Sequence, residues 1–279
     1  MNNLKFKLIS ILSICIFIIF SCTKEEREID EINYRDIYYQ NLEELKNTLV
    51  YSIPGESHNA TLDLLYSNLV FENCIDTLTI NSSLINEIEE NLQIDLSTQR
   101  AISDLSEEPK LYSNIDLDDE VKRSYFQNLG VNPMEIDLLF DISHIFSNNN
   151  IHSALETVER LEPIVNSSGS EIVQISFDIA KGSIVYWYEK SVNWEIVLCS
   201  NIYENDILIE ARNDLDKEGL EWLGEATLEI AENDFWSGAV GAAVGAWFGG
   251  VGAGPTSIAA ACYGSAAGGI RFFIENQCP

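Results

Sequence analysis

FWSGAVGAAVGAWFGGVGAGPTSIAAACYGSAAGGI, residues 235–270, is a run of 36 residues without one charged side chain. Gly241, Gly245 and Gly249 fall at steps of four, with Ser237 one step before them. After a turn at Gly252-Ala253-Gly254-Pro255, Ala260, Gly264 and Gly268 repeat that spacing, and Ala261, Ser265 and Gly269 run beside them. Residues four apart share one side of a helix, so small residues at that spacing let two backbones come close. Each helical glycine costs about 0.8–1 kcal/mol relative to alanine, roughly 3 kcal/mol for the first three together. Close helix–helix packing is what offsets that cost. The stretch therefore predicts two helices, Phe235–Gly252 and Thr256–Ile274, folded back on each other, and a fold that is mostly α.

The two arms, at 18 and 19 residues, are each about 27–28 Å long as helices. That is near the roughly 30 Å hydrocarbon thickness of a bilayer. At the open end, Asp234, Phe235 and Trp236 face Arg271, Phe272 and Phe273, a mixture of charge and aromatic rings that suits a membrane interface. The spacing resembles the glycine zippers of certain membrane-active peptides and two-peptide bacteriocins, over about 40 residues. Three uses follow for the packing residues Gly241, Gly245, Gly249, Ala260, Gly264 and Gly268: burial against the rest of the domain, insertion into a bilayer, or self-association.

Upstream, the periodic segments are helical as well. Tyr38, Leu42, Leu45 and Leu49 line one face between Tyr34 and Val50, and residues 52–59, with Pro54 and Gly55, read as a turn. Asn132-Pro133 is a helix start, and an apolar stripe runs from Leu138 to Phe146. A second stripe, Ile151 to Leu161, is expected to stop near Pro163 and to pair with the first as an αα-hairpin. Ser168 with Glu171 reads as a capping box opening a helix through about Glu189 that is apolar on most faces, which marks it as central. Strand signals are few, at 74–80 and 207–209.

The N-terminus has the layout of a secretory signal: Lys5 and Lys7, an apolar run from Leu8 to Phe20, then Ser21-Cys22. The Ile19-Phe20-Ser21-Cys22 ending resembles the lipobox of bacterial lipoproteins, which implies removal of residues 1–21 and lipidation of the Cys22 thiol. Thr23-Lys24-Glu25-Glu26 resembles the lysine-acidic tether of lipoproteins exported to the cell surface, which implies an outer-membrane, lipid-anchored location. The expected organisation is a signal peptide at 1–21, an acidic tether at 22–32, a helical domain at 33–232 and the glycine-rich hairpin at 233–279.

Cleavage takes two lysines and no acid from the 16 basic and 45 acidic residues, leaving 14 against 45 and a formal charge of −31. Such a surface repels nucleic acid and anionic headgroups, so membrane attachment rests on the acyl chains. Cys74, Cys199, Cys262 and Cys278 allow three pairings as two disulfides in an oxidising compartment, though Cys262 sits in an apolar helix where a free thiol is equally at home.

Catalytic signatures are absent. His58, His144 and His152 form no zinc motif, and neither a nucleophile elbow nor a phosphate loop occurs. His144 and His152 flank one predicted loop, and Trp187, Tyr186, Tyr188 and Trp194 offer stacking faces that more often belong to a core. Asp214, Asp216, Glu218, Gly219 and Glu225 follow a calcium-loop spacing in outline, but Glu221 stands where an aliphatic residue packs, and an acidic helix start explains the same letters. No cofactor is expected. The sequence points to a non-enzymatic lipid-anchored envelope protein using its hairpin for packing, self-association or a protein partner. The alternative is a membrane-active effector whose hairpin enters a target bilayer.

Overall fold

The computed structural model describes residues 33–72, 118–147, 150–200, 216–247, 257–258 and 260–262. The signal and lipobox, the tether, both strand signals, the hairpin turn and most of the second hairpin arm lie outside the described residues. Seven helices are resolved among them: α1 Tyr34–Thr48, α2 Ile53–Glu72, α3 Asp119–Asn128, α4 Pro133–Ser143, α5 Ile151–Ser168, α6 Glu171–Ser200 and α7 Lys217–Trp247. Residues 257–258 and 260–262 are helical as well, and no strand occurs among the described residues. The protein is mostly α, as its periodicity predicts.

Local chemistry explains most boundaries. Asn132 accepts from Met134 N at 2.9 Å while Glu135 accepts from Asn132 N at 3.1 Å, so α4 starts on a reciprocal cap with Pro133 just inside. Asn150 caps α5 through Ser153 N at 2.9 Å. Five boundaries differ from the sequence reading. Residues 53–59 are the first turns of α2 rather than a turn, because Asp178 of α6 supplies the acceptors that this helix start lacks locally. Asp178 Oδ1 accepts from Ser52 N at 2.7 Å, and its Oδ2 accepts from Ser52 Oγ and Gly55 N, both at 3.0 Å.

Helix α5 runs past Pro163 to Ser168. Pro163 and the residue whose carbonyl it leaves without its helical partner, Glu159, are both exposed, on the side of α5 open to solvent, while Leu161 and Val165 stay buried. Gly169, at φ +67, ends α5, and Ser170 rather than Ser168 caps α6 by accepting from Val173 N at 3.3 Å. Helix α6 continues past Glu189 to Ser200, and α7 begins at Lys217, well before Phe235. The 232/233 boundary thus falls inside α7, and the described residues from Arg35 onward belong to one compact unit.

Helix α6 is the axis of this unit, packing most extensively against α7 and next against α2, with α4 and α5 also on its surface. From Val173 to Tyr188 nearly every side chain except Gln174 is buried. Each large apolar side chain buried there contributes about 1.5–3 kcal/mol. Helix α7 is buried in the same way from Leu223 to Gly245, with only Glu225, Glu229 and Glu232 less covered.

The helix crossing α6 at Gly182 needs glycine on both sides. A Cβ on Gly182 would lie 3.1–3.3 Å from the Cα, O and C atoms of Gly55, and one on Gly55 would lie 2.8 Å from Asp178 O. The α2–α6 crossing is backbone on backbone. Gly182→Ala is therefore expected to lower stability by about 1–3 kcal/mol, since no flexible side chain can yield. Gly224→Ala, whose Cβ meets only Ile151 Cγ1 at 3.7 Å, is expected to raise it by up to about 1 kcal/mol through helix propensity. Chemical denaturation of the pair checks both signs.

Candidate functional site

The densest gathering of chemically capable side chains lies where α2, α6, α7 and the 257–262 stretch meet. Asp234 comes from the middle of α7, Ser183 and Trp187 from one face of α6, His58 from the second turn of α2, and Cys262 from the C-terminal stretch. Residues 183 and 187 are four apart, so both point from α6 toward α7. Asp234 and His58 are fully buried. Asp234 Oδ2 accepts from Trp187 Nε1 at 3.0 Å and closely from Ser183 Oγ, and His58 Nε2 stands 3.5 Å from the same oxygen.

The outer edge of the cluster ties it to the backbone. His58 Nδ1 is 2.9 Å from Asn59 Oδ1, and Asn59 Nδ2 donates to Gly182 O at 3.0 Å. Cys262 Sγ donates to His58 O at 3.7 Å. Ser257 Oγ donates to Gly238 O at 2.7 Å. Gly238 lies one turn beyond Asp234, and a Cβ there would meet Ile179 Cδ1 at 3.1 Å, Ser257 Oγ at 3.4 Å and Ala261 Cβ at 3.6 Å. This is where a small residue of α7 lets the C-terminal stretch come close.

Burial decides the protonation of this cluster. It pushes the His58 imidazole down to about 4, with the Asn59 bond pulling weakly the other way. At 3.5 Å a charged imidazole would pair with Asp234, but loss of hydration outweighs that attraction and the ring is neutral near pH 7. Burial likewise pushes the Cys262 thiol far up, reinforced by Asp234 and opposed by its bond with Thr61. The thiol stays protonated and is a poor nucleophile. Serine, histidine and aspartate are all here, yet Ser183 donates directly to Asp234, so its proton is not offered to His58. All five members are buried. The cluster works as a polar latch joining three helices and the C-terminal stretch.

The residues singled out from sequence are distributed differently. Gly241, Gly245 and Ala260 are buried in the α7 and 257–262 helices, whereas Gly249, Gly264 and Gly268 lie outside the described residues, as does Cys22. Asp234, read as a charge at the hairpin mouth, is instead deep inside; Arg271 lies outside the described residues. Asp216 is the N-terminal cap of α7, accepting from Gly219 N at 2.8 Å. Glu218 and Glu225 follow on the same helix, exposed and two turns apart; Asp214 lies outside the described residues. No group of three or more His, Cys, Asp or Glu among the described residues is placed to hold a metal.

His152 faces Glu44 of α1 at 3.5 Å. Trp187 and Trp194, with ring centroids 5.6 Å apart, are buried with Tyr186, whose hydroxyl accepts from Trp194 Nε1 at 3.1 Å. They form core rather than a stacking surface. Cys262 is a free, buried thiol.

No family model matches the chain, and no curated protein and no solved structure matches it either.

Proposed function

We propose that the protein is a non-enzymatic, lipid-anchored envelope protein, held by lipid on Cys22, whose glycine-rich C-terminal segment serves to pack its own helical body. The observation that supports this reading is the burial of α7 on nearly all faces from Leu223 to Gly245. Of the small residues that would let the hairpin associate elsewhere, the described ones, Gly241, Gly245 and Ala260, are already buried. A bilayer-inserting hairpin would have to abandon those contacts and pull Asp234 away from Ser183 and Trp187. No described helix is long and apolar enough to cross a membrane.

The anchor rests on the lipobox-like residues Ile19 to Cys22. Two measurements test the two halves of the reading. In cells fed labelled palmitate, the wild-type chain is expected to take up label and remain with the membrane, and Cys22→Ser is expected to lose both. Added to dye-loaded liposomes, the lipid-free mature chain is expected to release no dye at neutral pH. Release that Gly245→Leu abolishes would establish the membrane-active alternative instead.

A further inference from the structure

We propose that a cleft of about 440 Å³ beside the α1–α2 turn, where α5 meets α6, binds a small apolar amino acid in its zwitterionic form. Lys181 and Asp178 line it, along with Phe177, Ile175, Val165 and Pro54. The volume lies within the roughly 300–1,000 Å³ of small-molecule sites. Unlike the latch around Asp234, this place is open to solvent.

The charges in the cleft select the ligand. Lys181 and Asp178 are three residues apart on α6, which sets their Cβ atoms about 5–6 Å apart on one face. Both are almost buried, at 7% and 9% exposure, and both are fixed by the fold. Lys181 Nζ donates to Val50 O and, at 2.9 Å, to Glu162 Oε1, leaving one of its three donors. Asp178 Oδ1 accepts only from Ser52 N, leaving acceptor capacity on that oxygen.

A cation and an anion side by side, each with one bond to give, match a molecule that carries a carboxylate next to an ammonium. A simple anion would meet Asp178 beside its lysine, and a simple cation would meet Lys181. Phe177, Ile175, Val165 and Pro54 give the remaining wall an apolar side, beside Ser52, Asn166 and Gln174, and Val50, which also lines it, is 68% exposed. An aliphatic or aromatic side chain therefore completes the fit. The positions are set before the ligand arrives, which lowers the cost of ordering them.

The test is calorimetry on the purified lipidated chain with L-leucine and L-phenylalanine, and with N-acetyl-L-leucine and L-leucinamide, which keep one charge each. At least one of the two amino acids should bind saturably, and each single-charge analogue should bind at least about tenfold more weakly than L-leucine or not at all. Gln174→Trp fills the cleft from an exposed wall position. It is expected to weaken binding at least about tenfold while leaving the ligand-free melting temperature unchanged. Absence of saturable heat with both amino acids overturns the proposal. So does an analogue that binds within tenfold of L-leucine, or a Gln174→Trp protein that binds like wild type.

Discussion

Asp234→Ala is expected to lower the unfolding free energy by about 2–5 kcal/mol, the scale for leaving two buried donors without their acceptor. The carboxylate is the shared acceptor of Ser183 Oγ and Trp187 Nε1 and the neighbour of His58 Nε2. Alanine leaves those donors in a space from which water is excluded, and each unmatched donor costs about 1–3 kcal/mol. Asp234→Asn keeps one oxygen in place and is expected to cost less. Urea denaturation of the three proteins gives the ranking. Local opening has its own reporter, because Cys262 is fully buried against His58 O. Iodoacetamide should alkylate it faster in Asp234→Ala under native conditions. Equal alkylation rates and a loss below about 1 kcal/mol would remove the latch from the account of the fold.

Acid is expected to weaken the fold through His58 specifically. The imidazole titrates at 6.5 when exposed and at about 4 in the folded protein. Between those values the unfolded chain binds the proton and the folded chain does not, so falling pH favours unfolding. The contribution is fully present above about pH 6.5 and is lost as pH falls toward about 4. At about 1.4 kcal/mol per pH unit, the loss is about 3 kcal/mol.

Carboxylates elsewhere titrate over part of the same range, so the measurement is a difference between two proteins. Denaturation midpoints at pH 7, 5.5 and 4 should fall more steeply for wild type than for His58→Asn. The variant is weaker at pH 7 but lacks this proton. Parallel pH profiles would mean that His58 is solvated or already paired.

Much of the helix inventory was readable because it rests on periodic burial and on caps made by near neighbours. The Leu42, Leu45, Leu49 stripe and the Asn132–Glu135 cap are of that kind. The α2 start was misread because its cap is Asp178, 126 residues from Ser52 in sequence. Pro163 was misread because its harm depends on which side of α5 faces water. The latch was hidden for the same reason. Asp234 is the last of several acids before an uncharged run, Ser183 carries no local signal in an apolar helix, and Trp187 offers only an aromatic face. Nothing local says that these three, with His58, converge.

Gly182 and Gly55 carried no repeat to mark them, although each lies where a Cβ would strike another backbone. The conspicuous four-residue glycine ladder drew the eye instead. The crossing at Gly238 lies outside that ladder, one residue from Ser237.

From its sequence alone the chain is legible as an acidic, mostly helical protein with an uncharged, small-residue C-terminal run, because composition and 3.6-residue periodicity act over a few turns. Tertiary structure alone decided that α7 is wrapped by its own domain, that Asp234 is a buried acceptor, and that Lys181 and Asp178 share the wall of a cleft. Those outcomes depend on which distant groups take the hydrogen bonds and the buried surface that each helix leaves over.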